Sequence, residues 1–225
     1  MQLIAMHGWC GDHRSWAPFE AQARERGWGW QSPDRGYGPC PPLAPAWPAQ
    51  GRRVVLAHSL GPHLLPAELL HQAEAVVLLA SFGRFVPLGP GGRRLRAALA
   101  GMARELQGPN PEAMLHAFLE KAAEPQPISR LPATILEAPL TAAGRQRLLE
   151  DLARLEATSG LPCGFPSQAP CLIVEAERDQ IVLPQARQLL REALPEADRL
   201  ELRGIGHCLL ADSLVDQVIG WIEQL

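Results

Sequence analysis

Lysine is almost missing from this chain. Lys121 stands alone against twenty arginines, a bias of genome composition to which no function attaches. Nor is positive charge in excess. Acidic residues outnumber basic ones 24 to 21, which leaves a net charge of −3 and a pI near 6.2. The basic stripe that a nucleic-acid partner requires is therefore absent. No run of 18 apolar residues is present to span a membrane. The chain opens on a strand-like segment, so no signal peptide is expected. The five cysteines are Cys10, Cys40, Cys163, Cys171 and Cys208; the count is odd and none form a C-x-x-C pair. That pattern argues against a disulfide framework and for free thiols in a reducing cytoplasm. No histidine or cysteine spacing suggests a metal, and no internal repeat is visible.

At 225 residues and 47% apolar content, the chain suffices for one large domain or a core with an insertion. Apolar runs predict strands at 2–6, 28–32, 53–58, 75–80, 171–176 and 199–203. Helical patterns fall at 15–26, 60–72, 184–194 and 213–224. Alternation of this kind predicts an α/β fold, a mostly parallel six-stranded sheet with helices on both faces. The segment 54–58 is apolar throughout, as a strand buried on both sides should be. From about 83 to 165 no strand pattern occurs, only three helical ones at 93–107, 111–123 and 141–158. We therefore divide the chain into a first core part (1–82), a helical lid (83–165) and a second core part (166–225). The patch Pro39-Cys40-Pro41-Pro42-Leu43-Ala44-Pro45 reads as a loop.

One segment carries chemistry. Val54-Val55-Leu56-Ala57-His58-Ser59-Leu60-Gly61 reads as a buried strand, a sharp turn and a helix start. It is a variant of the nucleophile elbow G-x-S-x-G, with Ala57 at the first glycine. Ser59 is a poor nucleophile alone and needs a base to take its proton. Asp179 follows the strand-like run 171–176, and His207 lies in Gly204-Ile205-Gly206-His207-Cys208 after the last strand. Their order Ser, Asp, His is that of an α/β-hydrolase triad. Here His207 would be the base and Asp179 its orienting partner. Glu175 and Glu177 are rival acids, and His7 and His58 rival histidines. Cys10 and Cys208 lie near enough to be conceivable thiol nucleophiles.

His7-Gly8-Trp9, the elbow, Asp34-Arg35-Gly36-Tyr37-Gly38, Asp179 with Ile181-Val182, and Gly206-His207 together resemble the α/β-hydrolase superfamily. The resemblance covers the core, about 1–82 and 166–225. It implies a serine carboxylesterase with Ser59, Asp179 and His207 as catalytic residues. The backbone N–H groups of Trp9 and Leu60 would form the oxyanion hole. Met6-His7-Gly8-Trp9-Cys10-Gly11 and Ser81-Phe82-Gly83-Arg84-Phe85 resemble most the pimeloyl-[acyl-carrier-protein] methyl ester esterases of biotin synthesis. In that case an acyl carrier protein presents the ester and no cofactor is used. Pro62 stands where a second glycine is usual, and the antiparallel hairpin that normally opens the fold is absent, so an all-parallel sheet is expected.

The same resemblance implies basic lid residues that dock an acidic carrier. The lid holds ten basic side chains against eight acidic ones, +2, while the remainder of the chain sums to −5. Arg145, Arg147 and Arg154 are the expected carrier contacts. Trp9 and Phe118 are expected at the acyl pocket, with Trp9 equally readable as a core residue.

Overall fold

A computed structural model describes all 225 residues. Six strands form one sheet: β1 (Gln2–Met6), β2 (Gly29–Gln31), β3 (Arg53–His58), β4 (Ala75–Leu79), β5 (Cys171–Ala176) and β6 (Asp198–Leu202). Their spatial order is β2-β1-β3-β4-β5-β6. Every neighbouring pair is parallel, as expected. Residues of β4 and β5 are buried throughout, because helices cover both faces of the sheet.

The period-two alternation of the strands sorts their side chains between two cores. Leu3, Ala5, Val54, Leu56 and Val77 meet Trp16, Phe19, Val218 and Ile222 on one face. Ile4, Met6, Val55, Val76 and Ile173 meet Leu69, Leu70 and Leu190 on the other. The first face is covered by α1 (Ala17–Glu25) and α8 (Leu214–Glu223). The second is covered by α2 (Gly61–Leu64), α3 (Ala67–His71) and α7 (Pro184–Ala193).

Two elements depart from the sequence reading. The single helix expected over 60–72 is broken. Leu65 is extended, with φ −81° and ψ 145°, because the ring of Pro66 disfavours a helical residue before it. The helix expected from 15 starts as a 3-10 turn, His13–Trp16, in which the Asp12 carboxylate accepts from the Arg14 N–H. Elsewhere the boundaries shift by a few residues at most.

Between β4 and β5 the chain is helical, with α4 (Pro90–Gln107), α5 (Pro111–Ala123) and α6 (Ala142–Ala157). These helices do not form a core of their own. Leu99, Leu115, Leu148 and Leu152 share one apolar cluster with Trp9, Leu60 and Phe82, so the lid is packed directly onto the elbow. No helix is long and apolar enough to cross a membrane.

Candidate active site

Ser59 follows the last residue of β3 and adopts φ 55°. This left-handed conformation is costly for a residue with a side chain. Two hydrogen bonds hold it there. The Ser59 N–H donates to Leu79 O at 2.9 Å, and Ser81 Oγ donates to Ser59 O at 2.7 Å. Close approach explains the small neighbours. A Cβ on Gly61 would lie 2.5 Å from Met6 O, and one on Gly8 would lie 2.8 Å from Ser59 Cβ. Ala57 carries its methyl without penalty, being a fully buried strand residue.

The three side chains expected from the sequence converge. His207 Nε2 lies 3.0 Å from Ser59 Oγ, and His207 Nδ1 lies 2.9 Å from Asp179 Oδ2. The other Asp179 oxygen accepts from the N–H groups of Ile181 and Val182, at 2.8 and 2.9 Å. All three residues are buried. Burial by itself would raise the Asp179 carboxyl, but His207 and these two N–H groups outweigh it and hold it below the ordinary value.

The rival groups are engaged elsewhere. Glu175 pairs with Arg191 at 3.1 Å, and Glu177 accepts from the Gly204 N–H at 2.6 Å. Burial pushes the Cys208 thiol up to about 12 and raises Cys10 as well, which removes both as thiolate nucleophiles near neutral pH. His7 Nε2 accepts from the Arg35 N–H at 3.2 Å. Its Nδ1 then carries the proton and donates to Gly8 O at 2.8 Å, a structural role beneath the oxyanion loop. His58 Nε2 donates to the His207 carbonyl at 2.9 Å and so steadies the loop that carries the base.

The N–H groups of Trp9 and Leu60 make no hydrogen bond within the chain, which leaves both available to an oxyanion. The Trp9 side chain is a strut. Its Nε1 donates to Leu148 O of α6 at 2.9 Å, and its ring meets Phe118 of α5 edge-on at 4.9 Å. A cavity of about 350 Å³ opens beside it, lined by Trp9, Phe118, Trp16, His207 and Leu214 among others. Trp9 is thus both pocket wall and core. Ser59 is not itself in that wall, but its neighbours Gly8, His58 and His207 are.

The three arginines expected to meet a carrier also reach backbone carbonyls. Arg145 donates to Gly108 O at 3.1 Å, Arg147 to Gly36 O at 3.1 Å and Arg154 to His63 O at 3.3 Å. Each thus links α6 to another segment of the chain, and Arg154 remains exposed. Local sequence could not show this, because the carbonyls they reach lie 37 to 111 residues away. Within 83–165, the exposed arginines without an intramolecular partner are Arg93, Arg94, Arg96 and Arg104, all on α4.

Sequence reasoning also missed Asp151. It is fully buried on α6, where it accepts two bonds from Arg35 at 2.7 and 2.9 Å and one from Tyr37 at 2.6 Å. A signal existed: Asp151 falls on the apolar stripe of Leu148, Leu152 and Leu155.

Desolvated neutral histidines, His7 buried and His58 and His63 half-buried, make the fold acid-sensitive. His58 is held down to about 4, first by burial and then by His207. Burial also lowers His7 and His63. The unfolded chain therefore binds more protons than the native one below the ordinary histidine value of 6.5, and stability falls with pH through that window. His58 alone accounts for about 3 kcal/mol between pH 6.5 and 4. Urea midpoints at pH 7.5, 6 and 5 are expected to fall progressively, and His58→Gln to flatten part of the slope. A pH-independent midpoint would contradict the assignment.

No family model matches the chain, and no curated protein matches it by sequence. Solved structures match it by shape. An esterase from Exiguobacterium antarcticum superposes with a TM-score of 0.75 at 15% identity, over 99% of this chain and 92% of that one. The enol-lactonase of Burkholderia xenovorans LB400 gives 0.74 at 18% identity, over 99% and 91%. A bromoperoxidase from Bacillus anthracis gives 0.67 at 15% identity, over 99% and 92%. The chain therefore has the α/β-hydrolase fold. Three different activities on that fold mean that the reaction must be argued from the site.

Proposed function

We propose that this protein is a serine ester hydrolase. The observation that carries the proposal is the unbroken hydrogen-bonded line from Ser59 Oγ through His207 to Asp179. Ser59 attacks the ester carbonyl as His207 Nε2 takes its proton. The Trp9 and Leu60 N–H groups receive the oxyanion, and such donors are each worth roughly a factor of 100 to 1,000 in rate. His207 returns the proton to the departing alcohol. Water, activated by the same imidazole, then releases the acid. A fluorophosphonate probe should label Ser59 covalently, and an unlabelled protein would mean that the serine is not activated.

For the substrate we propose the methyl ester of pimeloyl-acyl-carrier protein, with methanol as the leaving alcohol. The segments around Trp9 and Phe82 support this reading, as does an apolar cavity within the usual range for an organic ligand. The acidic carrier would meet α4, where Arg93, Arg94 and Arg96 are exposed and unpaired. Replacing these three with alanine is expected to slow cleavage of the carrier-bound ester at low salt and spare a small soluble ester. Equal losses on both substrates would make them structural. Expression in a biotin auxotroph lacking its own esterase tests the substrate directly. Failure to rescue growth, alongside robust activity on short esters, would favour a generalist carboxylesterase or thioesterase using the same triad.

A further inference from the structure

The loop from 34 to 43 folds back on the segment that follows the Gly8–Trp9 turn. Asp34 and Leu43 close it by exchanging backbone hydrogen bonds of 3.2 and 2.9 Å, and Pro39, Pro41 and Pro42 stiffen the chain around Cys40. At this junction one donor atom from each of Asp12, His13, Asp34 and Cys40 lies within 4.8 Å of all the others. Asp12 and Asp34 are each only 4% exposed, whereas His13 and Cys40 are half-buried. The local charge is unbalanced. Arg14 is shared between Asp12 and Glu137, while the only basic side chains that Asp34 meets are the histidines His7 and His13. A cation among these groups would relieve the repulsion between the carboxylates.

We propose that Asp12, His13, Asp34 and Cys40 form a binding site for a divalent transition cation, with Zn²⁺ the best match. Mixed thiolate, imidazole and carboxylate ligation suits zinc, whereas magnesium and calcium favour oxygen alone. On binding, the Cys40 proton passes to solvent and the thiolate bonds the metal. The proton that His13 Nδ1 donates to Asp34 Oδ2 in the metal-free protein is given up as the ring takes one on Nε2, which leaves the Nδ1 lone pair for the metal. Two carboxylates, one thiolate and a neutral imidazole around a dication sum to −1, which Arg14, shared with Glu137, offsets in part. Without metal the same groups are held by hydrogen bonds. The His13 N–H and Nδ1 contact Asp34 Oδ2 at 2.9 and 2.8 Å, and Arg14 caps Asp12. Asp12 and His13 directly follow the Gly8–Trp9 turn, so the ion would tether the oxyanion loop to the loop that carries Arg35 and Tyr37.

The site can be tested apart from catalysis. Cobalt(II) is titrated into metal-free full-length protein carrying Cys163→Ser, which removes the exposed thiol. One equivalent per chain should produce a sulfur-to-cobalt charge-transfer band and the visible bands of a tetrahedral site, both displaced by zinc. In that background Cys40→Ser should abolish the charge-transfer band. His13→Gln should weaken binding about tenfold or more, a loss that even outer-shell partners can cause. Zinc should raise the thermal midpoint of the Cys163→Ser protein but not that of the Cys40→Ser variant. Both substituted side chains are partly exposed, and circular dichroism confirms folding. No band, a band that survives Cys40→Ser, or a melting point indifferent to zinc would overturn the site and leave a hydrogen-bonded clasp.

Discussion

Asp179→Asn is expected to lower turnover on the order of 10⁴-fold without unfolding the protein, by stranding the base in the wrong tautomer. The local geometry makes the loss specific. Asp179 Oδ1 accepts from two backbone N–H groups, and only an oxygen can continue to do so. The asparagine amide would therefore direct its NH₂ at His207 Nδ1. The imidazole must then accept there and carry its proton on Nε2, facing Ser59 Oγ. In that state it has no lone pair with which to take the serine proton. Steady-state kcat on a small ester, with the rate of fluorophosphonate labelling, measures the effect. An unchanged melting temperature shows that the fold survives. Ser59→Ala should remove labelling and turnover altogether. A loss of only a few-fold in Asp179→Asn would mean that another group orients His207, and no other acid is in contact with it.

Asp151→Ala is expected to give the largest loss of stability, about 3 kcal/mol, because it removes a fully buried carboxylate and leaves the half-buried Arg35 without its partner. The carboxylate is fully buried. It holds the Arg35 guanidinium in two hydrogen bonds and the Tyr37 hydroxyl in a third. Tyr37 is itself buried, so its O–H would be left without an acceptor at further cost. For a chain of this size each kcal/mol shifts the thermal midpoint by roughly 2–4 °C, which places the expected drop on the order of 10 °C. The same carboxylate joins α6 of the lid to the 34–38 loop of the core. Asp151→Asn keeps an acceptor for Tyr37 and should cost less. Denaturant unfolding of the three proteins measures the order, and an alanine variant within about 1 kcal/mol of the parent would mean that the network contributes little.

Local sequence disclosed the core of the site because each part had a local cause. The elbow is a buried strand meeting a serine between small residues. Asp179 and His207 each follow a strand-like run, and parallel strands in this order deliver their ends to one edge of the sheet. The break between α2 and α3 was also legible in principle, since Pro66 stands in the middle of the expected helix. The intramolecular partners of the arginines were not legible, for a different reason. Charge counts the side chains of a segment but says nothing of which distant carbonyl each one meets. Arg145, Arg147 and Arg154 lie on a basic segment, and only the packing of α6 against its neighbours shows them reaching Gly108, Gly36 and His63. Asp151 left a partial trace, an acid on an apolar stripe, but its partners 114 and 116 residues away did not.

By itself the sequence determined the α/β alternation, the parallel sheet, the helical insertion and the three residues brought together at the sheet's edge. Periodicity, turn chemistry and chain order are local or topological properties, and they are written in the order of residues. Tertiary structure alone decided which polar groups became partners. It fastened Trp9 to Leu148, His58 to the His207 carbonyl and Asp151 to Arg35 and Tyr37, and it gathered Asp12, His13, Asp34 and Cys40 at one point. Hydrogen bonds and charge contacts act over only a few ångströms, so two residues far apart in the chain can make them only after packing has brought their elements together.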